Sequence, residues 1–188
     1  RSVHDRFVKR LIEVASEAKI GDQMSKDTHV GPVTTPPQFK KIMDYIEVAR
    51  REGAQCVLGG KPYTSDGAQG ERFVEPTIFT GVSNEMRIAQ EEVFGPVAPI
   101  VSFSDDDEVI AAANDTEYGL VSYLYTTSLK RGMSISERLD AGMIGLNRGL
   151  VSDPAAPFGG TKQSGLGREG SHEGMLEYME TKYIAVEW

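Results

Sequence analysis

Cysteine is almost absent from this 188-residue chain. Cys56 stands alone, which excludes an internal disulfide framework and fits a reducing compartment such as the cytoplasm. Histidine is nearly as scarce: His4, His29 and His172 share no ligand spacing with one another or with Cys56, so no zinc site is indicated. The acidic run at residues 105–108 lacks the alternation and the glycine of a calcium loop, and no metal site is expected there either. Positive charge is in deficit, with 20 Lys and Arg against 28 Asp and Glu, and a net charge of −8 leaves nothing to neutralise a phosphate backbone. Nucleic acid is therefore excluded as a partner. Long apolar runs are missing too. The longest, near residues 97–101, falls far short of the roughly 20 residues needed to span a bilayer, and no membrane association is expected.

What remains is a hydrophobic content of 39%, enough for one domain with a sizeable core. Val3, Phe7, Val8, Leu11, Ile12, Ala15 and Ala18 recur at helical spacing, as do Phe39, Ile42, Met43, Ile46 and Ala49, and both segments read as amphipathic cover helices. Between them, residues 21–38 carry Gly31, Pro32, Pro36 and Pro37 and read as an ordered loop. Strands are expected at residues 55–58, 73–79 (broken by Pro76), 97–103, 121–126 and 143–146. Residues 97–103 are apolar enough for a strand buried on both faces. Helices are expected at residues 104–114, capped by Ser104 with Asp107, at 129–140, and around 173–179, before a last strand at 182–188. Alternating strands and helices imply right-handed crossovers and an α/β fold with a mostly parallel sheet.

Chemistry concentrates in two segments. Residues 157–170 read Pro-Phe-Gly-Gly-Thr-Lys-Gln-Ser-Gly-Leu-Gly-Arg-Glu-Gly, and five glycines with one proline in fourteen residues make a shaped loop rather than a helix or strand. Phe158 sits there among small residues, placed to present one aromatic wall. Gly165, Gly167 and Gly170 spell a dinucleotide-binding fingerprint, but a proline- and glycine-rich loop precedes them in place of an apolar strand and the chain ends at Trp188, so no complete βαβ unit fits and that reading is rejected. Cys56 lies in a short apolar strand after a cover helix, with no histidine nearby and Lys61 beyond two glycines, and is expected to be a small buried hydrophobe rather than a nucleophile. The second segment, residues 91–97, reads Glu-Glu-Val-Phe-Gly-Pro-Val.

These two segments resemble, in the same order, two signature motifs of the aldehyde dehydrogenase superfamily. The resemblance implies an NAD(P)-dependent enzyme whose cysteine nucleophile and water-activating glutamate precede a helix like that at residues 3–18. The chain is then expected to be a C-terminal piece of a longer protein. Residues 1–180 would be part of the catalytic domain, residues 181–188 an oligomerisation strand, and no catalytic residue is expected in this chain. By resemblance, Glu92 accepts hydrogen bonds from the nicotinamide ribose, which suits an acceptor-only carboxylate facing a diol, and Phe94 packs near the nicotinamide. NAD or NADP would be held mainly by an absent N-terminal domain, so the choice between them is not readable. Ser152, within Gly-Leu-Val-Ser, matches a serine that succinate-semialdehyde dehydrogenases use for the substrate's distal carboxylate, and Phe158 would line the path to the aldehyde. Arg148 could assist, although an exposed loop arginine is the plainer reading. Arg168 and Glu180 are expected to pair across the last short helix. The implied partners are a small aldehyde and further copies of the chain, as a homodimer or homotetramer. The alternatives are an enzyme for another small aldehyde, with Ser152 incidental, or a non-catalytic assembly module.

Overall fold

The computed structural model describes residues 2–64 and 72–188. The chain divides into two compact units, Arg1–Ser104 and Asp105–Trp188. No proline- or glycine-rich linker marks that boundary in the sequence.

The first unit holds α1 (His4–Ser16), α2 (Pro36–Arg51), β1 (Gln55–Leu58), β2 (Thr77–Thr80), α3 (Arg87–Gln90) and β3 (Val97–Pro99). Helix α2 starts earlier than its apolar spacing predicts. Pro36 and Pro37 occupy its first turn, where a missing N–H costs nothing, and the Thr35 hydroxyl accepts from the Gln38 amide. Its inner face, Ile42, Ile46 and Ala49, is fully buried against Val74, Phe79, Val82, Ile88 and Val93. This cluster is the core of the unit, and removing such side chains from water supplies the main stabilisation. Helix α1 is covered less than a core-facing helix would be: of its apolar residues only Val8 is buried, and Phe7, like Val3 just before the helix, is 54% exposed.

The sheet order is β1-β2-β3, with β1 antiparallel and β3 parallel to the fully buried β2. Thr77, a polar residue in that interior, is satisfied twice: its hydroxyl accepts from Gly60 N–H (2.9 Å) and donates to the Glu75 carbonyl (2.8 Å). The strand expected over residues 97–103 is only three residues long and half-buried. It ends at Pro99, which has no N–H for a further neighbour, and β3 is an edge of this sheet, the place where a strand tolerates proline.

The second unit holds α4 (Asp106–Asn114), β4 (Tyr118–Gly119), β5 (Val121–Leu124), α5 (Leu129–Ser136), β6 (Met143–Leu146), β7 (Thr161–Lys162) and α6 (Ser171–Leu176). The cap of α4 is Asp105, not Ser104: its carboxylate accepts from the Glu108 amide at 2.9 Å. Strands β5 and β6 are parallel, and β4 pairs antiparallel with β7 inside the glycine-rich loop. The architecture is α/β with mixed and parallel sheets. Among the described residues, 182–188 pair with no strand, and their side chains are exposed. No described helix is long and apolar enough to cross a membrane.

Candidate functional site

The segment Glu91 to Phe94 is gripped by one face of α2. Gln38, Lys41 and Tyr45 are spaced i, i+3 and i+7 and so share that face. The Gln38 amide donates to the carbonyls of Val93 (2.9 Å) and Phe94 (3.1 Å), and Lys41 Nζ donates to the Glu92 carbonyl (2.8 Å). The Tyr45 hydroxyl donates to the Glu91 carboxylate. That carboxylate also takes a bidentate pair from Arg87, at 2.6 and 2.8 Å. Lys41 and Arg87 both lie over the Tyr45 ring, 5.6 and 5.5 Å from its centre. The hydrogen bonds from Arg87 and Tyr45 hold the Glu91 carboxyl at about 2. The Tyr45 hydroxyl is raised, first by its bond to Glu91 and then by burial.

Held this way, the next residues point outward. Phe94 sits in the left-handed region at φ 55° and is 74% exposed. Such a backbone costs a non-glycine residue about 1–2 kcal/mol, so an apolar ring is presented to solvent on a strained hinge. Glu92 is exposed, and its carboxylate has no hydrogen-bond partner among the described residues. Gly95 follows because a Cβ there would lie 2.7 Å from the buried Ile42 side chain.

In the second unit the loop after β6 begins at Asn147, also left-handed at φ 54°. Its side-chain amide bonds both the N–H and the carbonyl of Thr126 at 2.8 Å, tying the loop's start to the end of β5. Arg148 and Ser152 follow, both exposed and without a hydrogen-bond partner among the described residues. Phe158 is half-buried, fixed by a two-way backbone bridge with Glu169 (2.7 and 2.8 Å). It lines an open cleft of ≈ 400 Å³ with Leu120, Ser164, Leu166, Arg168 and Glu177. Ser152 does not line that cleft.

The polar residues of the glycine-rich loop serve as fasteners. Lys162 Nζ reaches the Asn114 carbonyl (2.9 Å), the Thr116 carbonyl (3.2 Å) and the Asp140 carboxylate (2.9 Å), closing the C-terminal end of α4. The Ser164 hydroxyl accepts from Gly119 N–H at 2.9 Å. Gly165, Gly167 and Gly170 have φ of 112°, 80° and 70°, left-handed backbone that glycine adopts without strain. The expected pairing of Arg168 with Glu180 is corrected: Arg168 donates to the carbonyls of Gly160 (2.8 Å) and Gly167 (2.7 Å), and its own amide donates to Glu177. Those carbonyls belong to a loop bent back on itself and lie within the guanidinium's reach.

Cys56 is half-buried, with its thiol donating to the Leu58 carbonyl at 3.3 Å and the Arg50 guanidinium 4.0 Å away. Arg50 comes from the last turn of α2, and its guanidinium also donates to the Gly60 carbonyl at 2.7 Å. No group of described His, Cys, Asp and Glu residues could hold a metal. Sequence reasoning also missed Gln38, Lys41, Tyr45 and Asn147. The first three leave a trace, a polar stripe at helical spacing, but their partners lie about fifty residues away.

The family model described as the aldehyde dehydrogenase family matches residues 1–184. A probable NADP-dependent succinate-semialdehyde dehydrogenase of Sinorhizobium fredii is 44% identical over 184 residues, which is 98% of this chain and 37% of the relative. A betaine aldehyde dehydrogenase of Mesorhizobium japonicum is 42% identical over 185 residues, 98% of this chain and 38% of that protein. Among solved structures, a betaine aldehyde dehydrogenase point mutant from Staphylococcus aureus in complex with NAD+ superposes with a TM-score of 0.95 at 38% identity, over 98% of this chain and 38% of that one. The chain thus spans well under half the length of the relatives it matches.

Proposed function

The chain belongs to the aldehyde dehydrogenase family, and from that premise we propose that the full-length protein oxidises succinate semialdehyde to succinate with NAD or NADP. The observation that carries the cofactor half is the pairing, on one strained turn, of an unpartnered carboxylate with an exposed ring: Glu92 beside Phe94. A carboxylate with both oxygens free fits a vicinal diol, and a flat apolar ring held in solvent fits a nicotinamide face. When bound, the dinucleotide supplies the hydride acceptor. Glu92 orients the ribose, Phe94 backs the ring, and the rest of the dinucleotide is assigned to a part of the protein outside these 188 residues.

Ser152 is proposed to donate its hydroxyl to the substrate's distal carboxylate, with Arg148 available for a charge-assisted bond, and Phe158 to wall the approach. The support is that Ser152 and Arg148 are exposed and unpartnered among the described residues, while Phe158 lines a cleft. The relatives differ in the aldehyde they are named for, so another small aldehyde is the competing substrate. Residues 1–180 are assigned to the catalytic domain. Residues 181–188, with Tyr183, Ile184, Val186 and Trp188 exposed, are assigned to a strand that joins a second copy in a homodimer or homotetramer. A cytoplasmic setting belongs to the same reading, its support being the single free cysteine. The 188 residues alone are expected to be inactive, since Cys56 is bonded to a backbone carbonyl and has no base beside it.

The test is Ser152→Ala in the full-length protein. Losing one hydrogen bond to a charged group should cut kcat/KM for succinate semialdehyde by about 1.5–3 kcal/mol in transition-state binding and leave an uncharged aldehyde of equal length almost unaffected. Equal losses for both would make Ser152 structural and remove the support for this substrate.

A further inference from the structure

Four consecutive residues of the motif turn, Glu91 to Phe94, are bonded by three consecutive polar positions on one helix face, and in reverse order. Gln38 takes the carbonyls of Phe94 and Val93, Lys41 that of Glu92, and Tyr45 the Glu91 side chain. A helix face at i, i+3 and i+7 is straight, so it can fix the register of an extended segment laid along it. Glu91 is fixed from its other side by the bidentate Arg87, whose own backbone amide is held by Glu52 at 3.0 Å. The plain alternative is a solvated helix face whose ion pairs contribute little. Two features argue against it. The Gln38 and Lys41 donors go to backbone carbonyls, not to mobile charges, and the two that Gln38 takes lie on either side of the Cα of Phe94, the one residue of the turn forced to positive φ.

We propose that Gln38, Lys41 and Tyr45 form a positioning stripe: α2 sets the register of the turn, and through it the angle at which Glu92 and Phe94 meet the nicotinamide ribose and ring. The inference rests on the cofactor reading of Glu92 and Phe94. None of the three is a catalytic residue; they act through the turn. Displacement of a binding group by a fraction of an ångström weakens bonds whose strength depends on direction, while the fold, anchored by Ile42 and Ile46 beneath, stays intact.

The experiment uses the full-length protein and direct equilibrium binding of NADH and NADPH, read by nucleotide fluorescence, beside steady-state kinetics and thermal melting. Tyr45→Phe keeps the ring between Lys41 and Arg87 and removes only the hydroxyl. Gln38→Met keeps the length and removes both donors. Each should raise the Kd for the reduced dinucleotide about three- to tenfold, with the aldehyde KM and Tm near wild type, and the double variant should fall short of the product of the two because both act on one turn. Glu92→Ala is the reference. If it weakens binding and the two stripe variants do not, the stripe is ordinary anchoring and the inference is overturned while the cofactor reading stands. If Glu92→Ala itself leaves Kd unchanged, the cofactor reading fails and the inference with it. A Tyr45→Phe protein that loses dinucleotide, aldehyde and Tm together also overturns it, as that is a folding defect.

Discussion

The two motif turns present a phenylalanine each and do so by opposite means. Phe94 is held by side chains from elsewhere, the polar stripe of α2, and by its own strained backbone at φ 55°. Phe158 is held by its own loop, through the backbone bridge to Glu169 and the Arg168 guanidinium folded onto Gly160 and Gly167. The outcome differs accordingly: Phe94 is 74% exposed, while Phe158 is half-buried in a cleft lined mostly by the same loop. A turn supported from outside can be short and can show its residues fully. One that supports itself must be long, rich in glycine, and partly closed over what it carries. The first should therefore be sensitive to what is removed beneath it, and the second to what is added within it.

The largest effect is expected beneath the first turn. Ile42 is 0% exposed and packs where a Gly95 Cβ would sit, so Ile42→Ala opens a cavity under Gly95 as well as in the core. The cost should be about 2–5 kcal/mol, measured by denaturant unfolding, with a fall in dinucleotide affinity if the turn sags into the space. A cost below about 1 kcal/mol would mean that the core does not carry the turn, and the contrast between the two would lose its basis.

The converse change belongs to the second turn. Gly170 begins α6 at φ 70°, and a Cβ there would lie 2.9 Å from the Ala156 carbonyl oxygen. Gly170→Ala adds one methyl group and should cost about 1–3 kcal/mol through the left-handed backbone and the clash. The matching readout is proteolytic nicking within residues 157–170, which should rise in this variant and not in Ile42→Ala. Nicking that rises equally in both would show that the two turns share one support.

Much of this was legible from the residues, for reasons tied to period and composition. The cover helix α2, the acid-rich start of α4, and the strands at residues 55–58 and 143–146 were readable because apolar spacing and capping chemistry are local. The glycine-rich loop at residues 157–170 was readable because glycine and proline disfavour regular structure, although the two-residue β7 lies within it. What was not legible depended on partners distant in sequence. The two-residue ladder of Tyr118–Gly119 with Thr161–Lys162 is too short to have a period. The grip of Gln38, Lys41 and Tyr45 on residues 91–94 exists only after α2 and α3 have packed. Opposite charges flanking the last short helix suggest a pairing of Arg168 with Glu180, whereas the folded loop offers carbonyls nearer to hand. The start of α2 is hidden in the sequence because Pro36 and Pro37, which break a helix interior, stand where a helix tolerates them, in its first turn.

The smallest effect separates the two supports by pH. Glu91 is held at about 2 against an ordinary 4.5 by the hydrogen bonds from Arg87 and Tyr45. A carboxyl whose folded pKa lies below its unfolded value contributes fully above the unfolded value, and that contribution disappears as the pH falls toward the folded one. The first turn should therefore lose its anchor between about pH 4.5 and pH 2, whereas the Phe158–Glu169 bridge, made of backbone groups, has nothing to titrate. Glu91→Gln removes the charge at the outset, so its urea midpoint should lie below wild type at pH 6 and converge on it as the pH approaches 2. The gap should be modest, because the Glu91 side chain is 39% exposed and solvent screens the pair. Two curves that stay parallel across that window would show that the Arg87–Glu91–Tyr45 joint is an unstrained surface contact, and that the first turn is held by its carbonyl bonds alone.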